Sequence, residues 1–298
     1  MDYHKPVLLR ESVDGLNIKP DGVYVDVTFG GGGHSREILS QLGEKGRLLA
    51  FDQDLDALEN KIDDPRFTLI NENFRFIKRF LRFHGVKEVD GILGDFGVSS
   101  HQFNVAERGF STRFEAKLDM RMNQNSALSA YEVINEYGEE QLRKLFYEYA
   151  DLKNAPRLAS EIVKAREAAP IESSERLNEV LRPFLFKEKE HKILAQIYQA
   201  IRIEVNQEIE ALKEFLLQTE ELVKKNGRLS LISYHSLEDR LVKRYIRSGL
   251  FEGEPEKDFY GNISVPFKKV KGLIVPSAEE IADNSRARSA KLRIAKKL

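Results

Sequence analysis

Four consecutive glycines, Gly30-Gly31-Gly32-Gly33, run into His34 and Ser35, and this is the first pattern in the chain that can do chemistry. A glycine-rich turn lets the main chain approach a ligand closely and presents helix N–H groups to it. Alone, such a turn is only a tight connection, and it is the surrounding carboxylates that raise the reading. Asp26 precedes the glycines on an apolar run, Asp52 closes the next run, and Asp95 closes the fourth. Gly30 and Gly32 fit the first two positions of a dinucleotide fingerprint, but Ser35 stands where the third glycine belongs, so an adenosine ligand fits better than a pyrophosphate. Asp52 is placed to accept both ribose hydroxyls, because Asp54 is the better cap for the following helix. Phe74, just past the third strand, is placed to cover an adenine, although an aromatic there is more often core. His34 has no second histidine or carboxylate at metal spacing nearby, and no metal is expected.

Composition narrows the chemistry further. The chain contains no cysteine, which excludes disulfides, thiolate metal sites and cysteine nucleophiles together. Its 298 residues suggest a main domain plus an addition, and a net charge of −1 neither favours nor opposes nucleic acid. Local basic bias exists at Arg75, Lys78, Arg79 and Arg82, and again from Arg286 to Lys297. A solvated helix face and a frayed tail would account for both. No apolar run reads as a signal peptide or a membrane span, so a cytoplasmic protein is expected.

These residues need strands and helices to hold them. Val23 to Val27, Arg47 to Phe51, Phe67 to Ile70 and Val89 to Leu93 read as strands, with helices from Ser35, after Asp54 and over Phe74 to Phe83. That alternation means right-handed βαβ units and a parallel sheet. The next strand, Arg228 to Ser233, follows an Asn226-Gly227 turn and lies far downstream. A crossover needs only about a dozen residues, so a helical domain is expected between, over residues 106–214, with 1–105 and 215–298 forming one discontinuous domain. Its stripes are Leu142-Leu145-Phe146-Tyr149, Leu158-Ile162-Val163 after Pro156, and Leu177-Val180-Leu181-Phe184. A further stripe at Ile209, Leu212 and Leu216 leads back to the sheet. A helix over Leu237 to Arg247 and β pieces around Ile263 to Val275 and Ala290 to Ala295 complete the pattern.

Seven motifs, in order, resemble the ribosomal RNA small subunit methyltransferase H family, the 16S rRNA cytosine-N4 methyltransferases. They are His4 to Glu11, Asp26 to Ser35, Asp90 to Gln102, Arg108 to Ser111, Leu118 to Met122, Ile232 to Arg240 and Arg286 to Arg293. The resemblance spans nearly the whole chain. It implies a class I S-adenosylmethionine-dependent methyltransferase fold, a Rossmann-like α/β fold with a mostly parallel sheet, interrupted by a helical domain. It further implies cofactor contacts from Gly32, Gly33, His34, Asp52, Phe74, Asp95 and Gln102. The partner it implies is 16S rRNA, within an assembled small subunit. Where members often carry an arginine before F-Q-A-L-R-I, this chain has Gln196.

Methyl transfer from a sulfonium is an in-line displacement, so the protein mainly positions the partners. A cytosine amino group is a poor nucleophile and needs a hydrogen-bond acceptor. Asp95, Ser233 and His235 are the candidates, His235 being the obvious general base of the last two, with capping of the next helix as its plain alternative. Carbon-5 methylation usually needs a cysteine adduct, and none can form here. Ribose methylation would want a lysine, absent from 95–102 and 233–240. An NAD-dependent oxidoreductase would need the missing third glycine, and a silent RNA-binding assembly factor would not need Asp52 or the intact loop.

Overall fold

The computed structural model describes residues 6–257, 259–260 and 263–298, so His4 and Lys5 of the first motif lie outside the described residues. The chain divides into two compact units: residues up to Gly97 with Ile209–Leu298, and Val98–Glu208 between them. The division thus falls at 98 and 208, where hydrophobic periodicity put 106 and 214.

The first unit opens with α1 (Leu9–Leu16), β1 (Val23–Asp26), α2 (Gly33–Gln41), β2 (Arg47–Phe51), β3 (Phe67–Ile70), α3 (Ile77–Phe83) and β4 (Val89–Asp95). The second unit contributes α4 (Ser100–Asn104), α5 (Ala130–Glu136), α6 (Glu139–Ala150), α7 (Ala155–Ala168), α8 (Ser174–Leu181) and α9 (Glu190–Asn206). The chain then returns through α10 (Glu208–Leu222), β5 (Val223–Ser233), α11 (Ser236–Ser248), β6 (Phe267–Lys269), α12 (Ala278–Asp283) and β7 (Lys291–Lys297).

Among the described residues, seven strands form one sheet in the order β3-β2-β1-β4-β5-β7-β6. The first five are parallel, and β7 pairs antiparallel with both β5 and β6. This is the class I methyltransferase arrangement. Valines, leucines and isoleucines such as Val25, Leu49, Ile92, Leu229 and Leu231 are fully or almost fully buried, as a sheet covered on both faces requires. Asp90 fastens its amino end. Burial pushes its carboxyl up, but bonds from Lys224, the Val23 N–H and Lys19 outweigh that and leave it below the ordinary carboxylate range.

Several elements differ from the sequence pattern for local reasons. The Asn226-Gly227 signal marks a break inside β5 rather than its start. Asn226 takes φ +69°, and the β4–β5 register shifts between Val89↔Val223 and Gly91↔Arg228. The expected helix after Asp54 is a 3-10 helix, Leu55–Asn60, whose Asp56 N–H donates to the Asp54 carboxylate. Phe74 to Phe83 splits into a 3-10 turn and α3, because the Asn73 side chain caps Arg75 N–H. The β piece expected from Ile263 to Val275 reduces to β6 and two isolated bridges, Lys257 with Ile263 and Ile274 with Leu292.

In the second unit, Leu142 and Phe146 of α6, Leu158 and Ile162 of α7, and Leu177 and Leu181 of α8 pack with Ile197 and Ile201 of α9. Pro156 occupies the first turn of α7. Gln196 donates to the Ala150 carbonyl at 3.1 Å. Among the described residues, no helix is long and apolar enough to cross a membrane.

Candidate functional site

Strand order places the site. β1 is flanked by β2 on one side and β4 on the other, so the chain leaves β1 and β4 in opposite senses and a crevice opens at their carboxyl ends. Asp26, the glycine loop, Asp52, Asp95 and Ser233 all stand at that end of the sheet.

The loop after β1 is held from both sides. Asp26 is fully buried and accepts Ser35 Oγ at 2.7 Å and Thr28 N at 3.1 Å, which ties the strand end to the first turn of α2. Burial pushes its carboxyl up to about 6, and the bonds from Ser35 and Thr28 work against that rise. Arg36 donates to the Gly31 carbonyl at 2.6 Å and Asn60 to the Gly30 carbonyl at 3.1 Å. Gly30 and Gly32 have φ of +51° and +74°. A methyl group on Gly30 would meet no protein atom within 4 Å, whereas one on Gly32 would sit 2.8 Å from the Phe29 ring.

Gly32→Ala should therefore lower the thermal midpoint markedly. Left-handed φ costs a side chain about 1–2 kcal/mol, and overpacking adds roughly 1–3 kcal/mol. At about 2–4 °C per kcal/mol for a domain of this size, calorimetric melting should detect the change easily, and an unshifted melt would mean the loop relaxes freely.

Asp52 faces the loop across β1 and β2. Its Oδ2 accepts Gly30 N at 2.7 Å and its Oδ1 accepts Asp54 N at 2.9 Å. The carboxylate is partly exposed, each oxygen keeps lone-pair capacity, and burial holds its pKa up at about 6 against those two bonds. Asp54 caps the 3-10 helix, so the two acids divide the work of capping and loop anchoring. A main-chain loop with an open approach at Gly30, next to an oriented carboxylate acceptor, fits an adenosine ligand.

Asp95 is fixed by Thr28 and Tyr234, which no spacing in the sequence links to it. Its N–H donates to Thr28 Oγ1 at 2.6 Å, and its Oδ1 accepts the Tyr234 hydroxyl at 2.8 Å. Burial pushes the Asp95 carboxyl up to about 6, with His34 and Tyr234 pulling it down. The Tyr234 hydroxyl is driven well above the usual phenol range by burial and by Asp95. His34 is itself buried, with Nε2 3.2 Å from the Val7 carbonyl and Nδ1 4.0 Å from Asp95 Oδ2. The ring thus supports Asp95, and the N–H groups of Gly33 and His34 in the first turn of α2 have no intrahelical acceptor.

His235 caps α11. Its ring accepts Glu238 N, and Glu238 reaches back to the Tyr234 and His235 N–H groups. Its Nε2 lies 3.1 Å from Glu238 Oε1. Phe74 packs on Phe96 and Phe215 with ring centroids 5.7 and 5.5 Å away, yet stays partly exposed. Gln102 belongs to the second unit, where it forms a capping box with Ser99 at the start of α4. The motifs at 108–111 and 118–122 are also in that unit, joined by Arg108 Nη2 donating to the Arg121 carbonyl at 2.9 Å. The last motif reaches the sixth through Arg293, which pairs with Asp239 at 2.7 Å.

Known proteins align with this chain from end to end. Ribosomal RNA small subunit methyltransferase H of Christiangramia forsetii is 80% identical over 298 residues, covering 100% of this chain and 99% of that protein. The protein of the same name from Flavobacterium johnsoniae is 68% identical, again covering 100% of this chain and 99% of its own. Among solved structures, an rRNA methylase from Streptococcus thermophilus is 11% identical with a TM-score of 0.44, covering 100% and 99% of the two chains. The model of the MraW methylase family matches residues 1–298, and this chain belongs to that family.

Proposed function

We propose that this protein is an S-adenosylmethionine-dependent methyltransferase acting on the N4 amino group of a cytidine in 16S rRNA, in the cytoplasm, within an assembled small subunit. The observation that carries the reading is Asp95 at the switch point of the sheet, its main-chain N–H held by Thr28 and its carboxylate by Tyr234, beside the Asp52-anchored glycine loop. Full-length identity to proteins named for small-subunit rRNA methylation supports the substrate.

When bound, S-adenosylmethionine supplies an electrophilic methyl group on a sulfonium. The residues for holding it are the glycine loop, through its main chain, and Asp52, through the ribose hydroxyls, with Phe74 against the base. Ser35 fills the place of a third glycine and gives its hydroxyl to Asp26, which disfavours the dinucleotide alternative. Asp95 accepts a hydrogen bond from the acceptor amine, restores nucleophilic character to its nitrogen, and takes the proton released. A carboxyl with its pKa near 6 is charged at neutral pH and still basic enough to accept that proton. His235, held in its cap, supports the turn that presents Tyr234. The cytidine must leave its stack to reach such a crevice, which favours a single-stranded or loosely paired target.

The test uses unmethylated small subunits, labelled cofactor and digestion of the RNA to nucleosides. Label is expected in N4-methylcytidine. Label in 5-methylcytidine or a 2′-O-methyl nucleoside, with none in N4-methylcytidine, would sink the proposal.

A further inference from the structure

The basic segment around α3 separates into a neutralised part and a free part. Arg75 pairs with Glu214 at 2.5 Å and Lys78 pairs with Glu221, both acids lying on α10. Arg79, Arg82 and Lys87 are exposed and make no ion pair among the described residues. Spacing places Phe76, which caps α3 at the end of the 3-10 turn, in line with Arg79 and Phe83 of the helix along one outward stripe. Two of these are phenyl rings in water, Phe76 at 43% and Phe83 at 82% exposure. The Arg79 guanidinium lies 5.8 Å from the Phe80 ring centroid, and His84 meets Phe83 edge-on at 5.2 Å. A cavity of about 430 Å³ lies between α3 and the end of α10, with Lys78, Arg82, Lys87 and Glu221 in its wall.

Exposed apolar rings rimmed by cations mark an interaction surface. Rings and unpaired cations alternating on one face match a single nucleic-acid strand, whose bases stack while its phosphates seek positive charge. A duplex offers no free base faces to such rings. Because α3 carries the chain back from the carboxyl end of β3 toward the start of β4, Phe83 stands at the end of the sheet remote from Asp95. We infer that the Phe76–Arg79–Phe83 face of α3, with the Arg82 and Lys87 cavity, is a second RNA-binding surface that takes a single-stranded segment away from the methyl-transfer crevice. This rests on the reading of the protein as an RNA methyltransferase.

The experiment is fluorescence anisotropy of the full-length protein with a labelled oligouridylate, which lacks the target base and so reads binding apart from methylation. Stacking on an aromatic contributes about 1–3 kcal/mol per base, so Phe83→Ala should weaken binding roughly 5- to 150-fold. Phe83→Tyr should restore it to near the wild-type value. Arg79→Glu with Arg82→Glu should flatten the salt dependence by about 0.7 log unit for each phosphate that is no longer neutralised. S-adenosylmethionine affinity by calorimetry should stay unchanged in every variant, which separates this effect from misfolding. Undetectable binding by the wild-type protein at low salt overturns the inference, as does unaltered binding by both the alanine and the charge variants. Unaltered oligouridylate binding with abolished binding to small subunits also overturns it and assigns the face to a protein partner. If the nucleoside assay fails while the Phe83 effect stands, only the acceptor assignment falls; the reverse result removes only the α3 surface.

Discussion

Asp95→Asn should lower kcat for methyl transfer by about 10²- to 10⁴-fold, the usual contribution of a positioned proton acceptor, with little change in thermal stability. The substitution keeps the shape and the oxygen that accepts the Tyr234 hydroxyl, and it removes the charge and the basic site. The pH profile gives a second measure. The acceptor works when ionised, so the wild-type rate should rise through pH about 6 and level off above it. The asparagine variant should lose that inflection. Tyr234→Phe should move it upward, because the hydroxyl bond favours the charged carboxylate and its loss leaves His34 alone to oppose burial. Single-turnover rates across pH 5 to 8 would decide the matter, and an asparagine variant within tenfold of wild type would remove Asp95 from the proton path.

Asp52→Ala should weaken S-adenosylmethionine binding by roughly ten- to a hundredfold, from the loss of bonds to a charged acceptor at about 1.5–3 kcal/mol. The loss reaches the loop as well, since Gly30 N and Asp54 N would be left without their acceptor. Hydroxyl donors favour the ionised carboxylate. Affinity should therefore be full above pH about 7 and fall as the pH drops through about 6, where Asp52 takes up a proton. Asp52→Asn should flatten that dependence while keeping part of the affinity. Calorimetric titrations at pH 5, 6 and 7.5 provide the check, and pH-independent binding by the wild type would place the ribose elsewhere.

How much of this was legible in the sequence depends on whether the signal was local. β1, β2 and β4 announce themselves as short apolar runs ended by carboxylates, β3 as a short apolar run alone, and β2 and β3 fall on the residues expected. Motif order pointed to the fold class and the family. α1 escaped because its cap position is Leu8 at φ +51°, with no capping side chain to mark a start. α9 escaped for the opposite reason. Ile193, Leu194, Ile197, Tyr198, Ala200, Ile201, Ile203 and Val205 are buried around most of its circumference, which blurs a one-face period. The Tyr234–Asp95 bond depends on β5 lying beside β4, a pairing across the whole intervening unit that no window of sequence reveals. His235 carries the ambiguity of every histidine before a helix, and here the ring faces Glu238.

The strand order also dictates a sequence of events during synthesis. β4 is translated before Val98–Glu208, and its outer neighbour β5 only afterwards. Until then its apolar residues, Ile92 and Leu93 among them, border an open edge that invites pairing with other chains. β6 then emerges before β7, yet it joins the sheet only through β7, so it too waits for a later segment. Closing so long a loop costs only slightly more than closing a shorter one; what it costs is time, during which the half-built sheet is a substrate for aggregation or for chaperones. An enzyme built this way matures from the middle outward, its helical insert free to fold while the sheet on either side of it is still incomplete.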